Sequence, residues 1–303
     1  TTQLNIQKNG ASGLPINIKL ATEAGRNGTA VIFGGRTTAL PYCTQNYTGA
    51  GTARADGIVF NTRANGASYI NIDGVKRSGI MVYGAEAGVD LISDNTSNVT
   101  LRNMEIFDNG TYSTFSAGGY NSDNPGIFLA GSNITLDQLL IHDNGQDEIQ
   151  DTYTGTNGSH AAMSNITLSS SWLYNNRDHP SWTGYPFNSG AEGTSQDCTH
   201  VDGVQVWGGG TRQDTFKVKD SVFGPLLAQG FYPGDENNAS FDNVSITNTL
   251  FINSLLHNIE GDPINTPTNN TPLNWQISNI TSYLTDGVNT GTVSHGFGVW
   301  GQG

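Results

Sequence analysis

Asn133-Ile134-Thr135-Leu136, followed at a short distance by Ile141-His142-Asp143-Asn144, is the stretch that decides the fold, because close copies of it recur along the chain. The other clear copies are Asn98-Val99-Thr100-Leu101 with Ile106-Phe107-Asp108-Asn109, and Asn165-Ile166-Thr167-Leu168 with Leu173-Tyr174-Asn175-Asn176. In each copy apolar residues alternate with polar ones, a pattern typical of a strand with one buried face. An Asn-rich turn then follows, which indicates that the chain changes direction at a fixed point of the repeat.

Weaker copies extend this repeat in both directions. The first residues of the seven copies are Tyr69, Asn98, Asn133, Asn165, Thr215, Asn243 and Asn274, at intervals of 29, 35, 32, 50, 28 and 31 residues. A near-constant period indicates that each strand stacks in parallel on its counterpart in the next copy. Leucine-rich repeats share this period, but they require a regular Leu framework and a helical half, which the sequence lacks. We therefore predict an all-β, right-handed parallel β-helix with rungs of about thirty residues.

The predicted β-helix is a single domain over residues 1–303, with opening rungs and a cap over 1–65 and the main rungs over 66–303. Residues 10–18 and 31–35 are predicted to form the opening rung, and the irregular residues 40–60 to share in the cap. A second strand is predicted in many rungs, at residues 126–129, 147–150, 202–206, 230–232, 258–260 and 297–300. These segments should form another sheet.

Composition limits the possible partners. The 303 residues carry a formal net charge of −13, and only 13% are charged. Nucleic acid is excluded as a partner, because its binders concentrate Lys and Arg on one face. No apolar stretch is long enough for a membrane span, and the first residues lack the features of a signal peptide, so we expect a soluble chain and favour a monomer. Cys43 and Cys198 fit no zinc spacing, which leaves either one long-range disulfide or two thiols.

Asparagine occupies one fixed place in the repeat at Asn98, Asn133, Asn165 and Asn243, each within an Asn-x-Ser/Thr sequon. The sequons could be glycosylation sites. Because Asn tolerates left-handed backbone geometry, we favour a structural role, with the side chains stacked into hydrogen-bonded ladders.

The interval of 50 residues contains an insertion over residues 177–199, and insertions in solenoids collect on the functional face. The insertion holds Arg177, His179, Trp182 and Tyr185. Aromatic rings stack on sugar faces and polar groups bind hydroxyls, so we interpret it as one wall of a carbohydrate groove. A loop packed on its own aromatic residues is the alternative.

Acidic residues recur at neighbouring rungs. Asp147, Glu148 and Asp151 lie one rung before His200 and Asp202, whereas Asp235 and Glu236 follow the next strand. Stacked strands are about 4.8 Å apart, so carboxylates on successive rungs should lie roughly 5 to 10 Å apart. Two carboxylates about 6.5 to 9.5 Å apart serve as acid and base in inverting glycoside hydrolysis. The same patch could instead hold Ca²⁺ through Asp147, Glu148 and Asp151, or its acids could bind backbone amides in turns.

The stretch His200-Val201-Asp202-Gly203-Val204-Gln205 resembles the Asp-Gly-centred strand of the polygalacturonases, β-helical glycosidases in which a strand aspartate is catalytic. The paired-aspartate strand, His-Gly turn and Arg-x-Lys strand of that family are absent, and Asp235-Glu236 and His257 are only loose substitutes. Over residues 10–300 the chain resembles the pectate-lyase-like superfamily. The resemblance implies a secreted, carbohydrate-active β-helix, and architecture alone does not transfer chemistry.

These patterns lead to one main hypothesis and two alternatives. The main hypothesis is an extracellular enzyme that hydrolyses a polysaccharide without a cofactor. Its candidate catalytic residues are Asp202, Asp147, Asp151, Asp235 and His200, and its candidate substrate-binding residues are Arg177, His179, Trp182, Tyr185, Gln205, Trp207, Tyr232 and Glu236. The alternatives are a Ca²⁺-dependent lyase acting on a uronic-acid polymer, and a non-catalytic glycan-binding solenoid of the tail-spike kind.

Overall fold

The computed structural model describes sixteen segments of the chain: residues 3–26, 28–35, 56–60, 66–91, 93–110, 125–145, 147–151, 163–175, 201–206, 213–225, 227, 229–232, 241–252, 257–261, 274–283 and 295–299. Their regular structure consists of strands that pair in parallel. The strands form three faces, here called ladders A, B and C, which the chain visits in that order in every rung. This arrangement confirms the predicted parallel β-helix, and parallel crossovers of this kind are almost always right-handed.

Ladder A is a sheet of nine strands. In spatial order they are β1 (Leu4–Ile6), β4 (Ile58–Phe60), β7 (Val89–Asp90), β10 (Ile127–Leu129), β13 (Ile149–Asp151), β16 (Val204–Gln205), β19 (Gln229–Tyr232), β21 (His257–Gly261) and β23 (His295–Val299). Six of these lie at or beside the segments predicted to form a second sheet, which confirms that prediction.

Ladders B and C join at a tight corner and share two long strands. Ladder B contains β2 (Ile16–Lys19), β5 (Ser68–Asp73), β8 (Ser97–Arg102), β11 (Gly131–Asp137), β14 (Met163–Ser169), β17 (Gln213–Lys219) and the first parts of β20 (Phe241–Ile252) and β22 (Gln276–Tyr283). Ladder C contains β3 (Ala30–Phe33), β6 (Ile80–Tyr83), β9 (Met104–Phe107), β12 (Leu140–His142), β15 (Trp172–Tyr174), β18 (Val222–Phe223) and the remaining parts of β20 and β22.

The core lies between the three ladders and is built from columns of apolar side chains. Ile134, for example, pairs with Val99 on one side and Ile166 on the other, and all three are buried. Each buried aliphatic side chain contributes about 1.5 to 3 kcal/mol relative to an exposed one. The alternation seen in the sequence therefore sets which face of each strand points inward.

The repeated Asn position is a left-handed corner, as predicted. The seven residues that open the repeats, Tyr69, Asn98, Asn133, Asn165, Thr215, Asn243 and Asn274, have φ between 53° and 60°. The Asn165 amide donates to Asn133 Oδ1 at 2.7 Å, and the Asn274 amide donates to Asn243 Oδ1 at 3.0 Å. The predicted stacking is thus confirmed for Asn133 and Asn165, whereas the Asn243 amide donates to Asp214 Oδ1 at 2.7 Å.

The N-terminal part departs from expectation in two places. Leu4–Ile6 forms β1, which the sequence did not indicate, and Ile58–Phe60 forms β4 within a stretch that was expected to be irregular. Both belong to ladder A and pair with each other. Both strands precede the first copy of the repeat, which begins at Tyr69, so the repeat could not locate them. The rest of the predicted cap, up to residue 55, and both cysteines lie outside the described residues.

The connections differ sharply in length around the rung. Connections of one or two residues that contain a left-handed residue, such as Asn103 or Gln138, join ladders B and C in the central rungs. The long connections between the described strands span residues 34–57, 108–126, 152–162, 175–203, 262–275 and 284–294, and all of them begin or end at ladder A. Ladder A is therefore the face bordered by insertions. No helix long and apolar enough to cross a membrane occurs in the described segments.

Candidate functional site on ladder A

The outward side chains of ladder A form one continuous row. Inward-facing Val89, Ile127, Ile149, Val204 and Phe231 stack in register, so the residue that follows each of them points outward. These followers are Asp90, Phe128, Gln150, Gln205 and Tyr232, here called the ladder A row. At about 4.8 Å per strand, five positions extend over roughly 19 Å, which suits an extended ligand.

The ladder A row combines polar groups with aromatic rings. Asp90, Gln150 and Gln205 are buried although they face outward, and Phe128 and Tyr232 are half-buried, so the row is recessed. A carboxylate and two amides offer donors and acceptors to hydroxyl groups, and the rings offer apolar faces. A recessed track of this composition is typical of a carbohydrate-binding site.

Two members of the row, Gln205 and Tyr232, were predicted to bind substrate, and the structure brings them together as neighbours. Sequence reasoning missed Asp90, Phe128 and Gln150. The sequence carries a signal for Asp90 and Phe128, because Gly88, Gly126, Gly203 and Gly230 each stand two residues before an outward residue of the row. Gln150 has Glu148 at that offset and no such signal.

Asp147 and Asp202 make the same structural contact in consecutive rungs. The backbone N–H of Asp202 donates to Asp147 Oδ1 at 2.8 Å, and the backbone N–H of Gln229 donates to Asp202 Oδ1 at 2.8 Å. The Asp56 carboxylate receives the Ala87 N–H in the same way at 3.2 Å. Both Asp147 and Asp202 are 0% exposed. These carboxylates connect neighbouring rungs, and a catalytic role for either one stays a prediction that these contacts do not favour.

Glu148 faces the interior of the solenoid. It stands where neighbouring rungs have glycine, and a Cβ on Gly126 would lie 2.9 Å from Ile141 Cγ2 in the core. The Glu148 side chain is 0% exposed and its Oε2 accepts a hydrogen bond from the Asn144 amide. The Asn144 Oδ1 in turn accepts the Asn109 amide at 3.0 Å. Glu148 thus terminates a buried ladder of amides.

The predicted Ca²⁺ ligands Asp147, Glu148 and Asp151 do not fit a Ca²⁺ site. Asp147 binds a backbone amide of the next rung, whereas Glu148 binds an interior asparagine, so their carboxylates serve different partners. Within the described segments, no three His, Cys, Asp or Glu residues are grouped to hold a metal ion. Adjacent residues such as Asp147 and Glu148 point to different sides of the chain, so this ligand set stays a prediction that these contacts do not favour.

Asp151 occupies the last position of β13, in register with Leu129, and is buried. The chain leaves ladder A at this point for residues 152–162. The remaining predicted site residues lie outside the described segments, namely His200, Asp235, Arg177, His179, Trp182, Tyr185, Trp207 and Glu236.

Comparisons with known proteins give similarities to β-helical structures. No protein-family model and no curated protein matches the sequence. Among solved structures, the chain is similar to the pectate lyase Pel9A, with 16% identity and a TM-score of 0.45 over 93% of this chain and 63% of that one. It is also similar to an alginate lyase from Paenibacillus sp. str. FPU-7, with 14% identity and a TM-score of 0.41 over 92% of this chain and 85% of that one. The chain thus spans less than two thirds of the pectate lyase, and neither similarity bears on chemistry.

Proposed function

We propose that this protein is an extracellular enzyme that binds an extended polysaccharide along the ladder A row and cleaves its glycosidic bonds. The observation that carries the proposal is the row itself, which places polar and aromatic groups in register on the face that the long connections border. A linear polymer can contact several positions of such a row at once, because both repeat along one axis.

For the reaction we propose hydrolysis by two carboxylates, one of which is Asp235, three residues after the end of β19 in the sequence. In inverting glycosidases the two carboxyl groups are about 6.5 to 9.5 Å apart. One carboxyl would protonate the leaving oxygen, and the other would activate a water molecule on the opposite face of the sugar. Asp147 and Asp202 would then hold neighbouring rungs of the site together, because each accepts a backbone N–H from the next rung.

The test is a panel of soluble polysaccharides, assayed for new reducing ends and for unsaturated ends that absorb ultraviolet light. We expect reducing ends alone from wild-type protein, and a loss of about 10² to 10⁴ in rate for Asp235→Asn. Asp214→Asn is the matched control, since Asp214 is exposed on ladder B. Full activity of Asp235→Asn would contradict the assignment, unsaturated ends would indicate elimination instead, and retention of a glycan without any product would indicate a binding protein.

A further inference from the structure

The exterior of ladder C carries a continuous stack of rings that plays no part in the ladder A row. Phe33, Tyr83, Phe107, His142 and Tyr174 follow one another in consecutive rungs, with centroids 5.1, 5.0, 5.2 and 4.6 Å apart. From Phe107 to Tyr174 the rings are within 8° of parallel. The stack buries ring faces against each other, so most of its members present only their edges outward.

Trp172 breaks this pattern and presents an exposed ring. It stands on the exterior of β15, is 38% exposed, and lies 4.8 Å from Tyr174 at an interplanar angle of 45°. Its Nε1–H donates to the Gly224 carbonyl at 2.8 Å, which holds the indole in one orientation. A ring that is already ordered loses little side-chain entropy when a ligand stacks on it.

Polar groups lie one and two strands away from the exposed indole, on β12 and β9. Trp172 pairs in register with Leu140, which pairs with Glu105, so these three residues form a line across ladder C. His142 Nδ1 lies 2.8 Å from Asp143 Oδ2, and His142 Nε2 lies 3.2 Å from Glu105 Oε1. Each carboxylate oxygen can accept further hydrogen bonds. Trp172, Tyr174, Leu140, His142 and Glu105 are here called the Trp172 patch.

The charge of this face favours neutral sugars over acidic ones. The described outward residues of ladder C around the patch are Val31, Phe33, Met81, Tyr83, Glu105, Phe107, Leu140, His142, Trp172, Tyr174 and Val222, and they include no Lys or Arg. The whole chain carries a net charge of −13. A polyanion would be repelled by such a surface, whereas a neutral sugar can stack on the indole and donate hydroxyl protons to the carboxylates.

We propose that the Trp172 patch is a second polysaccharide-binding surface, specific for a neutral polymer and separate from the ladder A row. The patch supplies an apolar ring for the sugar face and acceptors for its hydroxyl groups, the combination that gives carbohydrate sites both affinity and orientation. The Trp172 patch lies on ladder C, a different face of the solenoid from the ladder A row. Binding there does not require that the protein be an enzyme.

The experiment is affinity electrophoresis of the full chain in gels containing hydroxyethylcellulose or galactomannan, with polygalacturonate as the acidic comparator. Wild-type protein should be retarded by at least one neutral polymer and not by polygalacturonate. Trp172→Ala should weaken this retardation at least tenfold, and Trp172→Phe should retain part of it. Val31→Ala is the matched control, because Val31 is 48% exposed on the same ladder but four strands away. Asp235→Asn should be retarded like wild type, which separates the patch from the proposed catalytic site.

A second measurement on wild-type protein does not depend on the folding of a variant. N-bromosuccinimide oxidises exposed indoles, and a neutral polymer bound at the patch should protect Trp172 when the oxidised peptides are quantified by mass spectrometry. Equal oxidation of Trp172 with and without polymer would overturn the proposal, as would equal retardation of wild type and Trp172→Ala, or retardation by polygalacturonate alone.

Discussion

Substitution of Asp202 separates a structural carboxylate from a catalytic one. Asp202 is 0% exposed and its Oδ1 accepts the backbone N–H of Gln229 at 2.8 Å. Asp202→Ala removes this acceptor and leaves a buried N–H without it, which costs about 1 to 3 kcal/mol. At an unfolding entropy of about 2.1 cal/mol/K per residue, a chain of 303 residues shifts by roughly 1.6 °C per kcal/mol, so the midpoint of thermal unfolding should fall by about 2 to 5 °C. Asp202→Asn keeps a side-chain oxygen as acceptor, so its midpoint should stay within about 1 °C of wild type.

Circular dichroism gives the unfolding midpoint, and amide hydrogen exchange reports directly on the Gln229 N–H. Exchange at that amide should accelerate in Asp202→Ala and remain slow in Asp202→Asn. Asp147 allows the same pair of substitutions one rung earlier, where its Oδ1 accepts the Asp202 N–H, and Asp214→Ala serves as an exposed control. The reasoning is refuted if Asp202→Ala unfolds like wild type, or if Asp202→Asn abolishes cleavage while its unfolding is unchanged.

Three further predictions test the scaffold around the site, each by the midpoint of thermal unfolding. Gly203→Ala should destabilise by about 1 to 3 kcal/mol, because the added Cβ would lie 2.7 Å from Phe223 Cδ1; Gly28→Ala, which meets open space, is its control, and equal midpoints would contradict the packing argument. Asn133→Ala should cost about 1 to 2 kcal/mol, since φ is 55° there and alanine disfavours left-handed geometry; Asn133→Gly should recover most of that loss. Glu148→Ala should cost about 1 to 3 kcal/mol by removing a buried acceptor, whereas Glu148→Gln should stay near wild type; a more stable alanine variant would show that the interior carboxylate is a net cost.

In the candidate site, the position of Gln205 follows from the sequence, whereas the role of Asp202 does not. The row position of Gln205 follows from alternation, since it comes directly after inward-facing Val204. The role of Asp202 does not follow in this way, because aspartate is suited both to catalysis and to binding backbone amides. Only the stacking of rungs places the Gln229 N–H within 2.8 Å of its carboxylate. The acids recur at neighbouring rungs of the sequence, and the backbone partners of Asp147 and Asp202 belong to other rungs.

The sequence by itself determined the period of the solenoid, the parallel stacking of its rungs and the left-handed Asn corners, because these depend on local alternation and on backbone preferences of single residues. The tertiary structure decided which face is bordered by the long connections, which acids accept hydrogen bonds from backbone amides, and where Trp172 exposes its ring. Those properties depend on contacts between residues about thirty or more positions apart, which no local pattern encodes.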